Sequence, residues 1–202
     1  MIGCGGQIGV PAAVFDDPNY PDAPAGLERD ALDETVKVFP GFGVAADQHW
    51  RLALQTADAV VYVTQVSSGW ISASVRLKDG KWIPAGMGGC QLMAALSDGL
   101  GAASWALDPG FAAPKANATE MHILVWEFAC SGGSPATGRM SDPIVTYSAN
   151  SLIMTVGVTR VGGPATCPGP PGTPALVVLP QPIGDRTLLD GIYHPAQPPK
   201  PL

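Results

Sequence analysis

Three residues capable of acid–base or metal chemistry lie close together in residues 119–127 (TEMHILVWE). Glu120 and His122 are two positions apart, so in an extended strand their side chains project from the same face, where metal or proton-transfer chemistry could use them. Glu127 lies inside an apolar run, where an ionised carboxylate needs a partner. These three residues are the candidates for a small extracytoplasmic hydrolase or metal-dependent enzyme.

A structural role is the more common explanation for the same side chains, because structural ion pairs also perturb carboxylates. Glu127 would then form a buried ion pair with an arginine. Arg186 is the predicted partner, and Arg160 and Arg139 are the alternatives. His122 would lie at the entrance of the strand. We expect this structural explanation to hold rather than the catalytic one.

Motifs that specify a chemistry are absent from the sequence, which has no G-x-S-x-G, no phosphate-binding G-x-x-x-x-G-K-[ST] and no H-E-x-x-H. The histidines His49, His122 and His194 are scattered and no C-x-x-C occurs, so the sequence predicts neither a metal site nor a cofactor. Asp190 lies in a polar turn (GDRTLLDG), where its side chain is expected to bind backbone groups of the turn. These observations favour a protein without catalytic activity.

The four cysteines point to an exported protein. Cys130 ends a predicted strand and Cys167 lies in a Gly/Pro loop, and a disulfide between them would close a loop of roughly 38 residues, worth about 4 kcal/mol. The start of the chain, MIGC, is similar to the end of a bacterial lipoprotein signal, with Gly3 before Cys4. We therefore expect Cys4 to be lipidated, with an incidental thiol in a flexible tail as the alternative. Cys90 would be left as a buried or reactive thiol.

Composition limits the fold and the partners. The chain has 202 residues, of which 46% are hydrophobic, and its 25 glycines and 21 prolines favour short strands joined by tight turns. A net charge of −6 leaves no basic patch for a phosphate backbone, so we expect no nucleic-acid partner. No apolar run reaches the roughly 18 residues of a membrane-spanning helix.

The order of predicted elements gives the fold class. Apolar residues at helical spacing predict a helix over residues 27–39, which Pro40 ends. From Trp50 the period changes to two, as is typical of strands, and residues 78–81 (KDGK) form a hairpin turn. We predict a mainly β (α+β) fold with two antiparallel units, each a β-meander or sandwich-like, and one N-terminal helix.

The domain organisation follows from the linkers. Residues 1–25 are predicted to be a flexible, lipoprotein-type tether, and residues 26–110 a helix followed by a β-meander. Residues 108–118 (DPGFAAPKANA) are the predicted boundary. Residues 118–194 form the disulfide-stapled antiparallel unit, and residues 195–202 a mobile tail.

Three segments carry a resemblance to a known family: DGKWIPAGMGGC, TEMHILVWEFACSGG and TCPGPPGTPALVVLPQPIGDRTLLDG. They resemble a family of uncharacterised exported proteins and lipoproteins of high-GC Gram-positive bacteria, over roughly residues 50–191. The resemblance implies export and a shared fold, and no activity. We therefore expect a non-catalytic, lipid-anchored protein with a binding or structural role in the cell envelope. Its partners would be the membrane surface, through the anchor, and an unknown protein or small-molecule ligand.

Overall fold

The computed structural model describes residues 1–4, 9–45, 48–97, 99–163, 165–169 and 171–202. The fold is mainly β, with several antiparallel sheets and few helices, as predicted. Contacts divide the chain into two compact units, Met1–Leu92 and Met93–Leu202. Among the described residues no helix has both the length and the apolar character needed to cross a membrane.

The first unit is a four-stranded antiparallel meander with helices before it. Its sheet has the order β2-β3-β4-β5, and β1 pairs with β6, the short strand at which the first unit ends. The elements are β1 (Ile2–Cys4), α1 (Ala13–Asp16), α2 (Leu27–Val38), a 3-10 turn (Pro40–Phe42), β2 (Arg51–Gln55), β3 (Ala59–Val66), β4 (Gly69–Lys78), β5 (Lys81–Cys90) and β6 (Leu92–Ala94).

The hairpin between β4 and β5 is the one that the sequence predicts. Lys78 pairs with Lys81, and Asp79 and Gly80 between them have positive φ angles of 52° and 75°. Two consecutive residues in the left-handed region make a type I′ turn, whose twist matches that of the paired strands. Asp79 tolerates this conformation better than most residues, and Gly80 adopts it without steric cost.

Both faces of this sheet are covered. Helix α2 buries Ala31, Leu32 and Thr35 against the face that carries Tyr62 and Val75. On the opposite face, the N-terminal segment packs apolar side chains around Val63: Ile2, Val10, Val14 and Phe15. The prediction of a flexible tether over residues 1–25 is therefore wrong for its described part, because these side chains bury more apolar surface than an extended linker could. Residues 5–8 lie outside the described residues.

The second unit is built around a strand that two sheets share. Its main order is β11-β8-β7-β10-β12, with β9 also paired to β10. The strands are β7 (Leu100–Leu107), β8 (Glu120–Glu127), β9 (Ile144–Tyr147), β10 (Ser151–Thr159), β11 (Thr173–Val178) and β12 (Thr187–Asp190). Along β10, residues 151–154 pair with β12 in parallel and residues 156–159 pair with β7. The core of the unit includes Trp105, Ile123 and Leu152, each at most 1% exposed.

Two predicted boundaries differ from the structure. Residues 108–118 are not a domain boundary but the connection between β7 and β8, which are antiparallel neighbours in one sheet. Residues 195–202 are not a free tail: Gln197 exchanges two backbone hydrogen bonds with Asp190, and the Lys200 N–H donates to the Trp105 carbonyl. The tail stays in place because buried strand ends need partners for their backbone groups.

Candidate functional site

Glu127, the buried acidic candidate, forms an ion pair with Arg139. Two nitrogens of the Arg139 guanidinium donate to its two carboxylate oxygens, at 2.5 and 2.9 Å, and only 2% of the Glu127 side chain is exposed. Hydrogen bonding from Arg139 holds the pKa of Glu127 below its usual range, although burial acts in the opposite direction. The same guanidinium donates to the carbonyls of Pro135 and Thr159, so it ties a loop and the end of β10 to the end of β8.

The predicted pairing of Glu127 with Arg186 is wrong. Arg186 donates instead to the backbone carbonyls of Ser148 and Ile183, and its guanidinium lies 5.3 Å from the centre of the Tyr147 ring. Of the alternatives considered from the sequence, Arg139 is the partner. Sequence position alone could not decide between the arginines, because all of them lie in loops whose approach to β8 depends on the tertiary fold.

Glu120 and His122 lie on the face of β8 opposite to Glu127. Both are exposed, and the His122 ring stacks on Phe111 with centroids 3.6 Å apart and planes 4° from parallel. Among the described residues, no group of three His, Cys, Asp or Glu side chains converges as a metal site would require. Glu120, His122 and Glu127 therefore do not form one constellation, and the arrangement gives no support to the hydrolase or metal-enzyme alternative.

All four cysteines are in disulfides. Cys130 pairs with Cys167, as predicted, and Cys4 pairs with Cys90, with Cα atoms 4.5 and 4.7 Å apart, respectively. A sulfur atom in a disulfide cannot also carry a lipid thioether, so the structure overturns both the lipidation of Cys4 and the free thiol at Cys90. Two disulfides indicate an oxidising, extracytoplasmic environment.

Asp190 has a fully buried carboxylate, which its sequence context does not predict. Its side chain accepts hydrogen bonds from the backbone N–H groups of Ile192, at 3.0 Å, and Trp105, at 3.4 Å, and the residue is 0% exposed. Burial raises its pKa to about 6, against the opposing effect of these two donors. Asp190 binds backbone N–H groups, as predicted, but it ends strand β12, and its donors Ile192 and Trp105 lie outside the predicted turn. The burial of Asp190 was not predicted, because the polar residues of GDRTLLDG are typical of a solvent-exposed turn.

A small apolar cavity lies in the first unit, between the sheet and the N-terminal segment. We call it the first-unit pocket; its volume is about 200 Å³. Its apolar lining is formed by Val10, Phe15, Ala53, Leu54, Val61 and Val63. Ser72 and Ser74 contribute hydroxyl groups, and Cys4 of the Cys4–Cys90 disulfide forms part of the wall. Among its described lining residues none is titratable, so the pocket can bind an apolar group but holds no acid, base or nucleophilic pair.

Arg51 fixes the segment that covers this pocket. It is 9% exposed, and its guanidinium donates to the carbonyls of Val14, at 2.7 Å, and Phe15, at 3.4 Å. The guanidinium also lies within 6 Å of the ring centres of Tyr20 and Trp70, at a distance suited to cation–π attraction. Sequence reasoning missed this residue, since an arginine at the start of a strand is most often exposed.

Comparisons with protein-family models, with curated proteins and with solved structures give no match to this chain. The resemblance to exported proteins and lipoproteins of high-GC Gram-positive bacteria therefore stays a prediction.

Proposed function

We propose that this protein is an exported, non-catalytic binding protein whose first-unit pocket holds a short aliphatic group of a ligand. The observation that carries the proposal is the composition of that pocket: apolar side chains, two serine hydroxyls and a disulfide wall. Ligand sites in proteins are typically apolar cavities with a few polar groups that orient the ligand. Ser72 and Ser74 supply the hydroxyl groups of the lining, and in this proposal they hydrogen-bond a polar end of the ligand.

The size of the pocket limits what it can take. Its volume of about 200 Å³ is below the roughly 300–1,000 Å³ typical of sites for drug-sized molecules. A short alkyl chain with one hydrogen-bonding end therefore fits this pocket better than a large ring system. Burial of each methylene contributes about 0.8 kcal/mol, so affinity should grow with chain length until the cavity is full.

Straight-chain alcohols and carboxylates of four to twelve carbons test this proposal. Binding is measured by chemical-shift changes of backbone amides in the disulfide-intact protein. We expect affinity to rise about fourfold per added carbon and then to level off, since 0.8 kcal/mol corresponds to that factor. Shifts should centre on Ala53, Val61 and Val63. If no alkyl ligand shifts these amides at millimolar concentration, the proposal fails.

A pair of variants separates the pocket from general surface effects. Ala53→Leu adds three carbon atoms to a half-buried lining position and should weaken alkyl binding at least tenfold. Ala59→Leu makes the same change at a half-buried position of β3 outside the lining and should leave binding within twofold. Equal effects of the two variants would mean that the ligand lies elsewhere.

A further inference from the structure

Strand β11 forms the outer edge of the main sheet of the second unit. It pairs only with β8, and no described residue pairs with its other side. Leu179, just beyond the strand, donates its N–H to the Thr119 carbonyl, and the same register places Val177 opposite Met121 and Ala175 opposite Ile123. In an antiparallel pair, hydrogen-bonded and non-hydrogen-bonded positions alternate. The backbone groups of odd-numbered β11 residues therefore face β8.

The backbone groups of the even-numbered residues face the open edge. Leu176 and Val178 each present an N–H and a C=O there, whereas Pro174 presents only a C=O. A proline is tolerated at this position because its missing N–H would point away from the ladder. The outer edge of β11 thus offers two donors and three acceptors to another strand.

A cavity of about 190 Å³ opens beside this edge; we call it the edge slot. One side is formed by Ala175, Leu176 and Val177 of β11, and the opposite side by residues 140–143. Its floor consists of core residues of β8 and β10: Ile123, Val125 and Val156. The slot therefore leads from the open strand edge directly into the hydrophobic core of the second unit.

Two hydrogen bonds join the chain segments that flank the two sides of the edge slot. At one end the Ala136 N–H donates to the Thr173 hydroxyl at 2.8 Å, and at the other the Tyr147 hydroxyl donates to the Gln181 carbonyl at 3.0 Å. These two hydrogen bonds tie the two sides of the slot to each other. The walls of the slot are thus fixed to each other by the fold.

Exposed apolar side chains lie on β11 and at the start of β9, next to residues that line the slot. Leu176 and Val178 are 52% and 68% exposed on β11, and Ile144, on the opposite side, is 62% exposed. Edge strands are usually protected by charged side chains, which these positions lack. Among the described residues that line the slot, Asp142 is the one with a charge, and it is exposed. The rim is therefore apolar with a single negative charge.

We propose that the edge slot docks an extended segment of a partner polypeptide, which adds to β11 as a further strand. Its backbone pairs with Leu176 and Val178, one bulky apolar side chain enters the slot, and a neighbouring basic residue contacts Asp142. Strand addition of this kind draws affinity from backbone hydrogen bonds and specificity from pockets for alternate side chains. The site lies in the second unit, so it does not depend on the first-unit pocket.

A second copy of the chain fits this site less well than a different polypeptide. If β11 of another copy paired here, the side chains directed at the slot would be Ala175 and Val177, which are small and already line the slot of their own copy. The cavity would stay unfilled. A free small molecule could fill the cavity but would leave the backbone groups of Leu176 and Val178 unpaired. Only an extended polypeptide uses both features.

The test uses the full chain and a panel of heptapeptides with blocked ends. Each peptide has a lysine at each terminus and threonines at the alternate positions. The central residue is phenylalanine, tryptophan, leucine or alanine. Binding is followed by amide chemical shifts and by fluorescence anisotropy of labelled peptides. We expect phenylalanine, tryptophan or leucine peptides to bind at least tenfold more tightly than the alanine peptide, with shifts at residues 174–178. A matched peptide with methylated backbone nitrogens at alternate positions should not bind.

Protein variants assign the contacts. Leu176→Pro removes an outward N–H without breaking the β8 ladder and should weaken binding at least tenfold. Leu176→Thr keeps the outward N–H but removes an apolar side chain of the rim, so it should weaken binding clearly less than Leu176→Pro does. Ala175→Leu fills the slot and should weaken binding at least tenfold, and Asp142→Asn should weaken the lysine-flanked peptides a few-fold.

Three results would overturn the proposal: no peptide binding at millimolar concentration, equal binding of the methylated peptide, or unchanged binding by Leu176→Pro with a native thermal midpoint. Sedimentation of the free protein as a dimer that Leu176→Pro dissociates would assign the edge to a second copy instead. Binding of free phenylalanine side-chain analogues as tightly as the heptapeptides would assign it to a small molecule.

Discussion

The two disulfides join different kinds of structure. Cys4–Cys90 connects the first residues of the chain to the last residue of β5, and Cys90 is buried in an apolar cluster with Ile2 and Phe15. Cys130–Cys167 connects two loops, and both of its residues are exposed. The first disulfide thus lies within a hydrophobic layer that the N-terminal segment forms on the sheet, whereas the second lies outside the core of its unit.

The cores on which the disulfides act also differ. Among the described residues of the second unit, thirteen buried side chains form one cluster across four strands and the adjoining loops, and the loops are further tied by the Glu127–Arg139 pair. In the described part of the first unit, the layer around Val63 contains six buried residues, and two of them, Val14 and Phe15, lie in the short helix α1. A segment with so little apolar area depends on a covalent link more than a large core does.

Removal of the first disulfide should have the largest effect. The double variant Cys4→Ser/Cys90→Ser opens a ring that spans 86 residues in sequence, worth about 4–5 kcal/mol in the loop-entropy model. We also expect faster amide exchange at residues 10–16, because the N-terminal segment loses its tether. Urea unfolding and hydrogen exchange measure both effects. A loss below about 1 kcal/mol would mean that apolar packing and Arg51 alone hold this segment.

Removal of the second disulfide should cost less. Cys130→Ser/Cys167→Ser opens a smaller ring, spanning 37 residues, for which the same model gives about 4 kcal/mol. In the loop-entropy model the two variants therefore differ in free energy of unfolding by less than about 1 kcal/mol. A larger measured difference would come from interactions in the folded state. Faster exchange should be confined to residues 131–136 and 165–169. If this variant is the less stable of the two, the second unit depends on its disulfide more than the first unit does.

Removal of the Glu127–Arg139 ion pair should have the next largest effect on the free energy of unfolding. Glu127→Gln removes the carboxylate and leaves a guanidinium that is only 21% exposed without its anion, which should cost about 3 kcal/mol. Because the pKa of Glu127 is lowered in the folded state, its stabilising effect is present above the unfolded pKa of about 4.3 and is lost as the pH falls through the folded value. Urea unfolding between pH 2 and 7 should show this acid-side loss in the wild type but not in the variant. Asp185→Asn, an exposed carboxylate in the same unit, is the matched control and should change stability by less than about 0.5 kcal/mol.

The sequence predicted the regular elements better than the contacts between them. The helix at Leu27–Val38 and the hairpin at residues 78–81 were predicted correctly, because helical periodicity and turn chemistry are local signals. The N-terminal segment was mistaken for a tether because its prolines and aspartates outweigh the four apolar side chains that pack. The contacts that hold this segment on the sheet, the disulfide to Cys90 and the hydrogen bonds from Arg51, join residues far apart in sequence, so no local signal predicts them.

The site residues show the same limit. Glu127 was recognised as a buried carboxylate that needs an arginine, but the identity of that arginine depends on a loop that no local signal places. Leu124 and Trp126, two even-numbered residues of β8, are half-buried on the outer face, although their apolar character is typical of a strand buried on both sides. The open edge of β11 could be foreseen in part, since Pro174 and Pro180 are typical of an edge strand.

The smallest predicted effect concerns Asp190, whose pH dependence should have the opposite sign to that of Glu127. Its pKa is raised from 3.8 to about 6 by burial, so the folded state holds a proton more tightly than the unfolded state does. Its contribution to stability is greatest below about pH 4 and falls as the pH rises to about 6, by on the order of 2–3 kcal/mol.

Asp190→Asn removes this titration. The amide oxygen can still accept from the Ile192 N–H, but the amide nitrogen cannot accept from the Trp105 N–H, so the variant loses one contact while it avoids the desolvation of a charge. We expect the two effects to cancel to within about 1 kcal/mol at pH 7. Urea unfolding at half-unit steps between pH 4 and 7 measures the slope, which should flatten in the variant but not in Asp185→Asn. An unchanged slope would show that Asp190 stays ionised throughout this range, and its two backbone donors would then outweigh burial.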